Sequence, residues 1–323
     1  MRAIKIREAG PLTTVQDWGR FGYQDCGVPI SGAMDRLALR IGNVLVGNRE
    51  GEAGLEITLG DFKAEFLSDI AFAVTGVDHC ARLNGRSVPN WTSLAAGQGD
   101  LLTVEQARSG CRFYLALAGG IEAPLVMGSK STYLRGGFGG FHGRRLARGD
   151  ILRIGRPVGK PITEHPATLV PRYSNEPLLR VIPNPQDDRI SEDGLASFLS
   201  QQYQVSERSD RMGCVLRGPS ITHRSGADII SDGTIAGAVQ VPGNGQPIVL
   251  MADCQTIGGY VTIATVVSFD LPLLAQVRPG CAVRFAPISL LDAREIYLKR
   301  EFRFRRFLER HRCSCEKEVF EVT

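Results

Sequence analysis

Apolar and polar residues alternate in short runs along most of this chain. In "FKAEF", Phe62, Ala64 and Phe66 fall on one side and Lys63 and Glu65 on the other, the two-residue period of a half-buried strand. Near the start, Ile4 and Ile6 alternate with Lys5 and Arg7 in the same way. "CRFYLALAGGI", "YVTIATVV" and "AVRFAP" are further β-rich runs bounded by turn residues. The 37 glycines and 17 prolines supply the turns that so many short strands require.

Helical spacing is rarer. In "SGAMDRLALRIGNVLVGN", Met34, Leu37, Ala38, Ile41 and Leu45 share one stripe, with Ser31 placed to cap the start and Gly47 to end it. "SEDGLASFLSQQY" repeats the pattern with Leu195, Phe198 and Leu199, and "DLPLLAQV" predicts a short helix stopped before Pro279 and Gly280. Ser289, with Asp292 three residues on, opens a last helix through a capping box. Its "KREFRFRRFLERHR" face is basic. Phe304, Phe307 and Leu308 are available to pack on its own domain, and Glu301 is spaced to pair with Arg305.

Three segments, "AAGQGDLLTV", "RLARGDILRI" and "QVRPGCAVRF", each read as a turn followed by an alternating strand. The first and third come late in the two halves of the chain. Two related β units are therefore expected, over residues 1–160 and 161–288, followed by a basic helical tail over 289–323. The proline-rich, polar stretch "GRPVGKPITEHPATLVPRYSNEP" joins the units.

The length of 323 residues fits this division, at about 150 residues per domain. A net charge of +4 gives no argument for nucleic-acid binding. No apolar run approaches the roughly 18 residues of a membrane span, and the N-terminus has no apolar signal core, so a cytoplasmic chain without membrane attachment is expected. The eight cysteines lack C-x-x-C pairing and read as reduced, small apolar residues. His311, Cys313 and Cys315 come nearest to a ligand cluster but lack a spaced partner group, so no metal site is expected.

Candidate chemistry concentrates in three regions. The first, "GSKSTYLRGGFGGFHGRRLARGD", fits neither the Walker loop nor the dinucleotide pattern. Gly137 and Gly139 begin the latter, but His142 stands where its third glycine belongs. Its glycines still allow a nest of backbone N–H groups around an anion, with Ser131, Thr132 and Tyr133 as hydroxyl donors and Arg135 and Arg144 as cations. A sharp turn with solvent-facing arginines explains the same residues. The second region, "LTTVQDWGRFGYQDCGVPISGAMDR", offers Gln16, Asp17 and Arg20, besides Ser31 and Asp35, either as a polar site or as carboxylates pairing with nearby arginines and capping structure. "SGAMDR" has no lysine after its methionine, so biotin is not attached to this chain. The "SERSDRMG" around Arg211 echoes that hexapeptide in the second half. The third region, "GAVQVPGNGQPIVLMADCQTIGGY", groups Gln240, Gln246, Asp253, Gln255 and Thr256, suited to a small ligand with amide or carboxyl groups or to bonding along hairpins. His79, His142 and His223 are isolated, so no Ser-His-Asp order is readable.

Taken in order with "LEITLGD", "LNGRSVPNW", "SDRMG" and "DLPLLAQVRPG", these segments resemble the family of the 5-oxoprolinase C subunit, also called the biotin-dependent carboxyltransferase-like or allophanate hydrolase subunit 2 family. The resemblance runs from about Ile4 to about Pro287 and leaves out the basic tail. It implies a mainly β fold of two cyclophilin-like β-barrel units with a few short helices. It implies a bacterial protein that works with a kinase-inhibitor-like B subunit and an A subunit to open 5-oxoproline to glutamate at the expense of ATP. Related domains move a carboxyl group from carboxybiotin to urea, and one family member antagonises a kinase inhibitor. A carboxyltransferase with its biotin on a separate chain, and a non-catalytic regulatory module, are therefore the alternatives. In the main reading Asp17, Tyr133 and Asp253 are the catalytic candidates. Gln16, Arg20, Ser131, Thr132, Arg135, Gly137, Gly139, His142, Arg144, Gln240, Gln246, Gln255 and Thr256 are expected to bind the small amide substrate or phosphate.

Overall fold

The computed structural model describes residues 2–77, 80–106 and 109–311, so His79, Cys313 and Cys315 lie outside the described residues. The alternating runs become strands. Phe62–Phe66 buries Phe62, Ala64 and Phe66 and leaves Lys63 and Glu65 half-buried, as the two-residue period requires.

The first half builds two sheets on one core. One has the strand order Ile151–Arg153, Ala3–Ala9, Phe62–Phe66, Leu101–Val104, Ala81–Leu83, Arg86–Val88. The other runs Leu12–Gln16, Gly54–Thr58, Arg112–Leu117, Ile70–Gly76, Ser93–Ala96. Ile4, Ile6, Phe62 and Phe66 from the first sheet meet Leu55, Ile57, Phe72, Phe113 and Leu115 from the second in a single apolar cluster. The second half closes a barrel of strands Leu178–Pro183, Thr262–Val266, Ala238–Gln240, Ile248–Leu250, Gly213–Arg217, Tyr203–Val205 and Ala282–Pro287. Parallel pairing of Leu178–Pro183 with Ala282–Pro287 completes the ring. A separate ribbon of Asp228–Gly233 and Ile257–Tyr260 projects from it. The fold is mainly β, as expected.

Four α-helices accompany the strands among the described residues: α1 Arg36–Leu45, α2 Glu192–Ser200, α3 Leu271–Ala275 and α4 Leu290–His311. Ser191 caps α2 by accepting from the Gly194 N–H at 3.0 Å. Ser289 accepts from the Asp292 N–H at 3.1 Å and donates to its carboxylate at 2.6 Å. The cap of α1 is Asp35 rather than Ser31: its carboxylate accepts from the Ala38 N–H at 2.9 Å. Ser31 lies outside the helix with φ at 57°, a conformation that cannot begin one.

Helix α4 does not stay with the barrel it follows. Arg300 donates to the Phe269 carbonyl of the second unit at 3.1 Å. Farther along, Phe304 and Phe307 are buried with Leu39, Ile41 and Tyr114 of the first unit. Glu301 pairs with Arg40 at 2.5 Å, not with the expected Arg305, and the Arg40 guanidinium lies over the Phe304 ring at 3.6 Å. Helix α4 is thus a strap across both units. Replacing buried Phe304 with alanine is expected to cost about 3 kcal/mol in chemical unfolding. Replacing Phe302, which is 62% exposed, should stay within about 0.5 kcal/mol. Equal losses from the two substitutions would contradict the strap.

Candidate functional site

Residues 30–32 form a spine where the two units meet. The Ile30 carbonyl accepts from the Arg20 N–H at 2.7 Å, and the Ser31 N–H donates to the Ala252 carbonyl at 2.9 Å. The Gly32 carbonyl accepts from Arg211 Nη2 at 2.6 Å, and the Ala33 N–H donates to the Asp17 carbonyl at 2.9 Å. One short segment therefore touches the QDWGR turn, the Ala252–Asp253 turn and the SDRMG turn.

Buried ion pairs lock this seam. Arg211 of the second unit donates to Glu56 of the first at 2.5 Å and to both oxygens of Asp253 at 2.8 and 3.1 Å. Glu56 also accepts from the Met34 N–H at 2.8 Å and the Tyr114 hydroxyl at 2.7 Å. Burial alone raises the Glu56 carboxyl. The charges of Arg211 and Arg112, with those two donors, overcome it and hold the group below the usual carboxylate range. The same partners raise Arg211 despite its burial. Asp35 behaves oppositely. Burial pushes its carboxyl up, against hydrogen bonds from Tyr173, Ala38 and Gln276. Neither Asp17 nor Asp35 pairs with an arginine in the way the sequence allows.

Beside the seam, the start of the Gly-rich stretch closes on a carboxylate of the chain itself rather than forming a nest of glycine N–H groups. The Asp17 carboxylate accepts from Ser129 Oγ at 2.7 Å, the Lys130 N–H at 2.6 Å, the Gly19 N–H at 2.7 Å and Ser131 Oγ. Thr132 is tied to the neighbouring strand, its N–H and hydroxyl both donating to the Val15 carbonyl at 2.9 and 3.0 Å. Gln16 Nε2 donates to the Thr132 carbonyl at 3.1 Å. Arg20 is 1% exposed, and its Nη2 donates to the Ser131 carbonyl at 2.5 Å. Gly139 must be glycine for this packing: at φ 73° a Cβ there would overlap the Ser131 oxygen and lie 3.0 Å from Arg20 Nη2.

The rest of that stretch faces outward. Half-buried Tyr133 packs edge-on against Phe138, with ring centres 5.4 Å apart. Arg135, Gly137 and His142 are exposed. Arg135 reaches the Met212 sulfur at 2.6 Å, and Arg144 forms a fork with Asp150 at 2.7 and 2.8 Å. Both cations assigned to phosphate thus have protein partners.

In the third region the structure separates what the sequence groups. Gln255 and Thr256 line a cavity of about 250 Å³ between the units, with Ile30, Met34, Met251 and Leu271 among its apolar walls. Buried Gln240 lies behind it and accepts from Gln255 Nε2 at 3.3 Å. Asp253 belongs to the Arg211 lock. Gln246 is elsewhere and braces Gly218, accepting from its N–H at 2.9 Å and donating to its carbonyl at 3.1 Å. His223 bonds the Val241 carbonyl at 2.9 Å, outside the seam. Among the described residues no group of three or more His, Cys, Asp or Glu side chains is arranged to hold a metal ion.

Four buried polar side chains flanking the seam keep atoms without a hydrogen-bond partner: Gln16 Oε1, Arg20 Nε and Nη1, Ser31 Oγ and Gln240 Nε2. Such atoms are costly to bury, and together they offer both donors and an acceptor. Sequence reasoning missed Glu56, Tyr114 and Gln276. Glu56 carried one signal, a carboxylate between Leu55 and Ile57 within an apolar strand.

At pH 7, Arg211→Met is expected to cost about 3–5 kcal/mol by leaving Glu56 and Asp253 buried without their cation. The depressed Glu56 group stabilises the wild type above its unfolded value of about 4.3, and that stability is lost as pH falls through the lower folded value. Without Arg211, burial raises the same group, and acid then relieves the variant. Urea unfolding at pH 7 and pH 4 should therefore show the cost of the substitution shrinking in acid. A constant or growing cost would refute this assignment.

Comparison with known proteins places this geometry. Residues 26–287 match the family described as carboxyltransferase domain, subdomain A and B. The chain is 42% identical to the C subunit of 5-oxoprolinase from Escherichia coli K12 over 293 residues, spanning 90% of this chain and 93% of that one. It is 35% identical to the protein of the same name from Haemophilus influenzae, over 92% of this chain and 95% of that one. Among solved structures, urea carboxylase of Kluyveromyces lactis superposes with a TM-score of 0.89 at 30% identity, over 99% of this chain and 30% of the larger enzyme.

Proposed function

The chain belongs to the carboxyltransferase subdomain A and B family, and from that premise we propose that it is the C subunit of an ATP-dependent 5-oxoprolinase. The observation that carries this reading is the seam of unpaired buried groups. A lactam such as 5-oxoproline offers one N–H donor, a carbonyl acceptor and a carboxylate. Gln16 Oε1 is an acceptor, while Arg20, Ser31 and Gln240 supply donors. The near end-to-end similarity to two proteins named as the C subunit of 5-oxoprolinase supports it.

Ring opening adds water across the lactam C–N bond, with oxygen going to the carbonyl carbon and a proton to nitrogen. In this reading the chain's own groups hold the ring and stabilise charge developing on the amide oxygen with fixed donors. Asp17 and Asp253 act as positioning residues. The first holds Ser129, Lys130 and Ser131, and the second holds Arg211. Tyr133 stands at the outer edge of the site with Phe138. In this reading the Gly-rich stretch takes no triphosphate, because Asp17 already holds its Lys130 N–H and serine hydroxyls and Arg144 closes on Asp150. We accordingly place ATP handling with the partner proteins, a kinase-inhibitor-like B subunit and an A subunit.

A second reading rests on the superposition with urea carboxylase. In it urea held at the same seam takes the carboxyl group from carboxybiotin carried on another chain, its nitrogen losing a proton and biotin being released. One experiment separates the two. The purified A, B and C subunits are mixed with ATP and 5-oxoproline, and glutamate is followed with and without avidin; a parallel reaction supplies this chain with urea, ATP, bicarbonate and a biotinylated carrier with its biotin carboxylase. Avidin-insensitive glutamate formation that requires this chain is the expected result. No glutamate from folded, assembled proteins, combined with avidin-sensitive carboxylation of urea, would replace the first reading with the second.

A further inference from the structure

The arginines around the seam are not equivalent. Arg211 is fully engaged by Asp253, Glu56 and the Gly32 carbonyl. Arg144 is engaged by Asp150, and Arg145 donates to the Pro11 carbonyl at 3.2 Å. Arg20 is different. It is almost wholly buried, yet only Nη2 has an acceptor, which leaves the Nε–H and both Nη1–H donors unused. Asp17 and Asp253 act on it through space, but their carboxylates are already held by other donors. Burial lowers its pKa below the ordinary guanidinium value, partly offset by those two carboxylates. A cation buried without a counter-ion of its own is expensive, and the fold keeps one here.

The cover over Arg20 is specific. The Phe138 ring lies over the guanidinium, with its centre 5.0 Å from Cζ, and Tyr133 meets that ring edge-on. The covering segment turns at Gly137, Gly139, Gly140, His142 and Gly143, all with positive φ. A ring over the guanidinium face leaves its in-plane N–H groups uncovered, and Nε–H or Nη1–H can each pair with the second Nη2–H as the fork that a planar carboxylate meets. A multiply charged phosphate suits the place less well, since Asp17 and Asp253 lie near enough to repel it.

We propose that Arg20 is the specificity-determining residue of the seam: under the Phe138 cover, its unused guanidinium N–H groups bind the carboxylate of a small carboxylate-bearing lactam. This rests on the oxoprolinase reading and adds what selects the substrate. The lactam ring alone would be held by neutral donors and acceptors, while the carboxylate is recognised by one buried, pre-positioned cation.

The test measures binding of 5-oxoproline and of 2-pyrrolidinone, the same lactam without the carboxylate, to the assembled wild-type complex by calorimetry. Arg20→Gln and Arg20→Lys complexes are compared, with thermal melts run on each. Wild type should bind 5-oxoproline about 30–140-fold more tightly than 2-pyrrolidinone, the worth of a buried charged hydrogen-bonded contact of about 2–3 kcal/mol. Arg20→Gln should collapse that ratio towards one, with most of the lost affinity falling on 5-oxoproline. Arg20→Lys, which keeps the charge but loses the planar fork, should retain part of it. If Arg20→Gln fails to fold, the lysine variant decides, because an unchanged ratio there overturns the proposal. A wild-type ratio near one, an undiminished ratio in Arg20→Gln, or equal loss for both ligands would also overturn it. Glutamate formation by the wild-type complex, measured alongside, keeps the two ideas apart. Glutamate with no carboxylate preference sinks the role of Arg20 alone, whereas no glutamate sinks the oxoprolinase reading.

Discussion

The structure turns on one buried guanidinium. Arg211 leaves the second unit to meet Glu56 of the first, and it binds Asp253 and the Gly32 carbonyl at the same time. Taking these charges out of water costs several kcal/mol for each, so the arrangement stands only because each guanidinium nitrogen and each carboxylate oxygen has a partner. Such a cluster defines position more than it adds stability, since any shift of one unit against the other would strand a charge. The second polar link repeats the logic with Asp35, Tyr173 and Gln276, and Gln276 in turn accepts from the Arg112 N–H at 2.7 Å. Helix α4 adds an apolar strap across the same junction.

Function follows from what this constraint leaves over. Because the units cannot slide, the spine at residues 30–32 is fixed between Arg20 and the Ala252–Asp253 turn. Gln16, Arg20, Ser31 and Gln240 flank it with unpaired buried atoms, while others such as those of Arg2, Ser93 and Tyr203 lie elsewhere. In the proposed function such a site is pre-organised, so that the ligand would meet donors already held in place. The 250 Å³ cavity lined by Gln255 and Thr256 belongs to the same junction.

Much of the fold was legible because strand period and helix caps are local. The alternation in Phe62–Phe66 and the serines that open α2 and α4 need no knowledge of distant residues. Ser31 misled for a physical reason: its backbone takes a left-handed conformation to reach Ala252 across the junction, and Asp35 caps α1 in its place. The pairing of Glu301 with Arg40 was equally hidden, since the two are far apart in sequence and meet only once α4 crosses the first unit.

The site was half legible. Motif density located Asp17, Arg20, Ser131 and Asp253 but did not separate a held carboxylate from a free one, which depends on who donates to it. Glu56 and Tyr114 sit in strands that read as plain core. The most direct measurement of the central claim is a double-mutant cycle on Glu56→Gln and Arg211→Met by urea unfolding. If these residues lock the units together, the double variant should cost less than the sum of the two single variants by about 2 kcal/mol. Additive costs would mean that the junction is held by something else.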